Sequence, residues 1–165
     1  AMVVLRNGEA IPPALATAIY QTVEAQATVF PAMVALESMA ALAVAWWLYV
    51  RLVQSSDRGL GPLGAFRFND HLVWFMITGL VLLAASAGAA ATRLGANITV
   101  FMGALYALRG AGVVLFVSGG LSLFSYSMFA LAFLFAAPAV LGFAVLIGIA
   151  DTWLDLRARA EKLAA

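Results

Sequence analysis

"FRFNDHLVWF", residues 66–75, is the most polar run in an otherwise apolar chain. Arg67, Asn69, Asp70 and His71 crowd together, and the sequence then passes into a long apolar stretch. Polar groups at the mouth of such a stretch either carry chemistry or mark the level at which a membrane begins. Composition favours the second reading. Of 165 residues, 65% are apolar and 10% charged, and the mean hydropathy is +1.02. A soluble domain carries about 25% charged residues and needs them to cover its surface. The expected solvent of this chain is lipid.

Several function classes are excluded at this level. A net charge of +1 offers no basic field for nucleic acid. With no cysteine there is no disulfide framework, thiolate metal site or cysteine nucleophile. A single histidine rules out a multi-histidine site within the chain, and no cofactor is expected. The opening residues Ala1–Glu9 lack the basic start, clean apolar run and small-residue site of a signal peptide.

A bilayer core needs about 20 helical residues. Runs of that order lie at about Val29–Val53, Leu72–Ala91 and Ile98–Val117, with a longer one from Leu121 to Ala150 that holds Pro138 near its middle. Helices are the expected form, because backbone groups in lipid must pair within the chain. The fold class predicted is therefore an all-α membrane protein: a bundle of four transmembrane helices, residues 29–157. A short interfacial helix within residues 1–28 precedes it, opened by Pro12-Pro13 and carrying Leu15, Ile19 and Val23 on one face. A polar tail, residues 158–165, follows.

The loops give orientation. Arg51, Arg58 and Arg67 against Asp57 place the first loop in the cytoplasm, and residues 1–28 outside. Arg67 then anchors the cytoplasmic face, and Asn69 or Asp70 caps the second helix, Asp70 suiting the positive end of its dipole. His71 and Trp74 fall at headgroup depth. The tail, with Arg157, Arg159 and Lys162, also looks cytoplasmic, which four full spans starting outside do not allow. Either the charge bias fails there, or residues 121–150 are two short arms of a Pro-turned hairpin at Ala136-Ala137-Pro138, giving five segments. The hairpin is the favoured alternative.

Four sequence elements resemble the C-terminal half of the YybS-like family of bacterial membrane proteins, whose function is unknown: Phe66-Arg67-Phe68 before a helix containing Trp74; Asn97; Tyr106 with Arg109-Gly110; and Gly148-Ile149-Ala150-Asp151-Thr152-Trp153-Leu154-Asp155-Leu156-Arg157, the most specific. The similarity covers roughly residues 29–160. It implies a multi-pass protein of the bacterial inner membrane, distantly similar to the substrate-capturing components of vitamin transporters, with no binding residue assigned. Glutamine is common in that family where this chain has Arg109.

Ionisable residues inside lipid each need a reason. Two qualify. Arg109 lies about halfway along the third span and Glu37 about eight residues into the first; both spans run inward, and Ala41 and Ala45 on one helix and Gly103, Ala107 and Ala111 on the other would allow close approach. The expectation is an intramembrane Glu37–Arg109 ion pair that fixes packing; the competing reading is a polar-substrate site around Arg109. His71 could ligate weakly through its ring, although a lone histidine at a helix end is more often an interface residue. Asp151 and Asp155, four apart, are read as marking the water boundary. Ser118-Gly119-Gly120 is not a phosphate loop, and Ser122, Ser125 and Ser127 lack a base. The function expected is a non-catalytic subunit whose partners are the bilayer and other membrane proteins, not nucleic acid. The alternative is a transport or substrate-capture component with a small-molecule ligand. An enzyme is not expected.

Overall fold

The computed structural model describes residues 12–53, 61–85, 87–119 and 122–164. The first eleven positions and the loop charges Asp57 and Arg58 lie outside the described residues. All regular structure among the described residues is helical: α1 (Pro13–Val53), α2 (Val73–Ala84), α3 (Ala89–Val117), α4 (Leu123–Leu154) and α5 (Leu156–Ala164), with single 3-10 turns at Leu63–Ala65 and Asp70–Leu72. Three helices are long and apolar enough to cross a membrane: α1, α3 and the Ser127–Leu154 part of α4.

The element boundaries depart from the sequence expectation in three places. Among the described residues, no separate interfacial helix precedes the first span. Helix α1 starts at Pro13, as its proline pair suggests, and runs on through Pro31 for 41 residues. The second helix is 12 residues long and ends at Ala84, short of the full span expected. In compensation α3 begins at Ala89, behind Gly88 with φ 101°, rather than near Ile98. Helices α1 and α3 lengthen for one reason: Ala-rich and mildly polar segments such as 89–97 are good helix formers, so the helix outruns the apolar window. Residues 158–164, expected as a polar tail, lie in the helix α5 (Leu156–Ala164).

The core is small. Val73 and Met76 of α2 meet Met102 and Tyr106 of α3, with Val145 and Ile149 of α4 packed against them. Helix α2 runs against α3, Gly79 facing Gly95; a β-carbon on Gly95 would lie 2.8 Å from the Gly79 carbonyl. Helix α1 runs in the same direction as α3, with Glu24 beside Arg93 and Thr28 and Ala32 beside Asn97. Beyond Leu36, which is half-buried, it leaves the bundle, and residues 37–49 are all exposed.

Helix α4 is broken by a kink at Ala136 (φ −137°, ψ 36°), two residues before Pro138. Proline removes a rung of the helix and crowds the preceding turn. The second arm runs parallel to α3: Gly148 lies against Tyr106 and Gly110, Asp151 meets Arg109, and Arg157 reaches the Arg109 carbonyl and Gly112. The arm therefore ends beside the end of α3. Only residues 118–122 join α3 to the start of α4, a reach of about 20 Å. A straight 32-residue helix would be about 48 Å long, so the helix must bend at the Ala136 kink for its end to lie there. Residues 127–136 of the first arm are exposed throughout.

Candidate functional site

The charged cluster sits where three chain segments meet: the 61–72 stretch before α2, the last third of α3, and the junction of α4 with α5. Arg109 lies at its centre. It is 2% exposed, and it is eight residues from the end of α3 rather than midway along it, because the helix starts earlier than expected.

Its partners are two aspartates. Nε donates to Asp151 Oδ2 at 2.9 Å and Nη1 to Asp70 Oδ1 at 2.6 Å. Asp151 is itself 1% exposed, whereas the Asp70 side chain is 61% exposed. The guanidinium therefore bridges a buried carboxylate to one that faces outward. Its carbon lies 5.3 Å from the centroid of the Phe68 ring, and that ring stands edge-on to the buried Tyr106 at 5.1 Å. An arginine fork between two carboxylates with an aromatic face against it is held in one geometry, and charge-assisted hydrogen bonds of this kind are among the stronger polar contacts.

Two further arginines complete the cluster. Arg67, on the segment before α2, pairs with Asp155 at the end of α4. Asp155 occupies the left-handed region (φ 42°), where it turns the chain from α4 into α5. Arg67 beside it, hydrogen-bonding the carboxylate, holds its pKa below the ordinary value. Arg157, on α5, is 5% exposed and donates from Nη2 to the carbonyls of Phe66, at 3.0 Å, and Arg109, at 3.3 Å.

Backbone contact makes this convergence feasible. A β-carbon on Gly110 would fall inside the Ala144 carbonyl, and one on Gly148 inside that of Tyr106. Missing side chains there bring the two parallel helices close enough for Arg109 to reach Asp151. The small-residue stripe expected from sequence does not do this. Gly103 faces open space, and the working glycines lie at 110 and 148.

The principal correction concerns Glu37. It is exposed on α1 and forms no ion pair among the described residues. The expected Glu37–Arg109 pair is absent because α1 diverges from α3 before reaching that level. Asp151, expected as a boundary marker, is the buried partner instead. Asp70 is the outer partner, and the capping for which it was a candidate falls to Asn69, whose side chain accepts from the His71 backbone N–H at 3.0 Å. His71 is exposed, and no group of three or more His, Asp or Glu suited to a metal occurs among the described residues. Trp74 is exposed on α2.

Asn97 marks a second joint. Its Oδ1 accepts from Ala32 N–H at 2.8 Å, while its Nδ2 donates to the carbonyls of Thr28, at 2.7 Å, and Arg93, at 2.8 Å. Thr28 and Ala32 are the two residues that one α-helical rung would join, so the amide bridges a rung of α1 next to Pro31. Beside it an apolar groove of about 450 Å³ opens between α1, α2 and α3, with Ala35, Phe75, Ile98 and Phe101 among its walls.

Comparison of the chain with protein-family models, with curated proteins and with solved structures gives no match. The 66–68, 106–110 and 148–157 segments are close in space and together build the Arg109 cluster.

Proposed function

We propose that the chain is a non-catalytic integral membrane protein, an accessory or structural subunit of a larger assembly in a bacterial inner membrane. The observation that carries this reading is the internal neutralisation of Arg109. A substrate-binding arginine needs charge to spare for an anionic ligand; here the chain's own two aspartates already offset the one positive charge. Helix α1 beyond Leu36 and the first α4 arm, by contrast, lie exposed along their apolar length, and such faces suit lipid or the helices of another protein. The resemblance to YybS-like proteins belongs to the same reading.

In this reading α1 and α3 run inward, α2 runs outward, and α4 is a hairpin whose arms return to the cytoplasmic side. That topology places Arg51, Arg67, Arg157, Arg159 and Lys162 on one side, in keeping with the positive-inside bias. Cysteines introduced at Gly61 and Lys162 should both be protected from a membrane-impermeant reagent on intact cells, while one at Ala14 is labelled. Labelling at Lys162 alongside Ala14 would refute the hairpin.

The subunit reading is tested by mild detergent extraction and native mass measurement, which should yield the chain bound to other membrane proteins. A homogeneous monomer stabilised by a small molecule would sink it. The groove between α1, α2 and α3 favours a second reading, substrate capture. Its ligand would be apolar, since the amide of Asn97 is already occupied by backbone groups.

A further inference from the structure

Arg157 differs from the other two arginines of the cluster in having no direct carboxylate partner among the described residues, whereas Arg109 holds two carboxylates and Arg67 holds Asp155. Its Nη2 faces two carbonyls and its Nε carries no hydrogen bond, although the side chain is 5% exposed. Burial works against this charge and lowers its pKa from the ordinary value. A buried guanidinium with a spare donor is costly unless something satisfies it.

Next to it lies a cleft of about 250 Å³, bounded by the Leu63–Ala65 turn, by Phe116 near the end of α3, and by α5. Arg67 and Arg157 both line it, and Glu161 supplies the carboxylate on its wall. Arg67 is half-exposed and Glu161 is exposed. The cleft is at the end of the bundle where the apolar helices give way to charged sequence.

We infer that this cleft binds a phosphate-type oxyanion through Arg157 and Arg67. Planar guanidinium groups match tetrahedral oxyanions by paired hydrogen bonds, and an incoming anion supplies the direct partner that Arg157 lacks among the described residues. The phosphate can come from a lipid headgroup at the membrane surface or from free phosphate. The inference stands independently of the subunit reading.

The test uses the full chain in nanodiscs. In discs of phosphatidylcholine alone, inorganic phosphate is titrated at constant ionic strength; in a second series phosphatidylglycerol replaces part of the lipid. Thermal unfolding is followed in both. One probe should raise Tm: a response to phosphate assigns the free ion, and a response to phosphatidylglycerol alone assigns the headgroup. Arg157→Gln should weaken the response by roughly tenfold or more, the loss expected of one charge-assisted hydrogen bond. Should that variant fail to fold, Arg67→Gln must weaken the response and Glu161→Gln must strengthen it. The inference is overturned if neither probe raises Tm. It is equally overturned if Lys162→Gln, an exposed neighbour on α5 away from the cleft, weakens the response as much as Arg67→Gln does, since that would mark a diffuse surface field.

Discussion

Helix α3 carries an arginine–carboxylate pair near each end. Near its start Arg93 reaches Glu24 of α1 at 3.3 Å, with the two side chains 63% and 72% exposed; near its end Arg109 reaches Asp151 of α4 at 2.9 Å, with 3% and 0%. The chemistry is the same and the energetics are opposite. The outer pair exchanges water for a partner in a high-dielectric setting and gains little. The inner pair has left water altogether. Its attraction mainly offsets desolvation, so its effect is felt when one member is removed. The difference teaches that α1 is held to α3 by the Asn97 amide and apolar contact rather than by charge, whereas α4 is held to α3 in a register that its charges dictate.

The largest expected effect follows directly. Asp151→Asn leaves Arg109 with its outer partner alone and should destabilise the protein in detergent by about 3–5 kcal/mol. Adding Arg109→Gln to that variant should restore much of the loss, because both buried charges are then gone. Strict additivity of the two substitutions in a double-mutant cycle would show that the pair is not coupled.

Register is tested next. Gly110→Ala inserts a methyl group into the Ala144 carbonyl and should cost on the order of 1–3 kcal/mol as the helices are forced apart. The same change at Gly103, which faces open space, should be close to neutral. Equal effects at the two positions would remove the geometric basis of the Arg109–Asp151 contact.

A pH series sharpens the contrast at the α4–α5 junction. The folded-state pKa of Asp155 is depressed by Arg67. Its contribution is therefore present above the ordinary aspartate value and is lost as pH falls through the depressed folded value. The wild-type Tm should fall relative to that of Asp155→Asn on acidification through this window, and high salt should reduce the difference, because the pair is exposed. Parallel Tm curves would dismiss the Arg67–Asp155 contact as energetically silent.

The smallest effects belong to α1. Arg93→Gln should change stability by less than about 1 kcal/mol, with the change shrinking in salt. Glu37→Gln should leave both stability and the Arg109 cycle untouched. A loss with Glu37→Gln comparable to that with Asp151→Asn would restore the pairing expected from sequence.

That expectation shows where sequence reading stops. The apolar helices, the proline start at Pro13 and the Asn69 cap are legible, because each depends on local composition or on a few neighbouring residues. The kink near Pro138 is legible for the same reason, and the basic tail raises the question of a reversal. The partner of Arg109 is not legible. Depth and direction favour Glu37, but they say nothing of lateral order, and α1 leaves α3 too early. Asp151 reads as a boundary residue because it stands near the end of an apolar run; only the close approach at Gly110 and Gly148 puts it under cover. Asn97 is visible merely as a polar residue at a helix opening. Its use as a bridge depends on backbone groups 65 residues earlier, beyond the reach of any local pattern.

That separation also has a meaning in time. Chains emerge from the ribosome at about 5–20 residues per second, so Asn97 follows Ala32 by roughly 3–13 seconds. During that interval the Ala32 N–H and the Thr28 carbonyl beside Pro31 are without the amide that later bonds to both. Assembly thus has a built-in order: the first helix is made incomplete, and the arrival of the third both docks and finishes it.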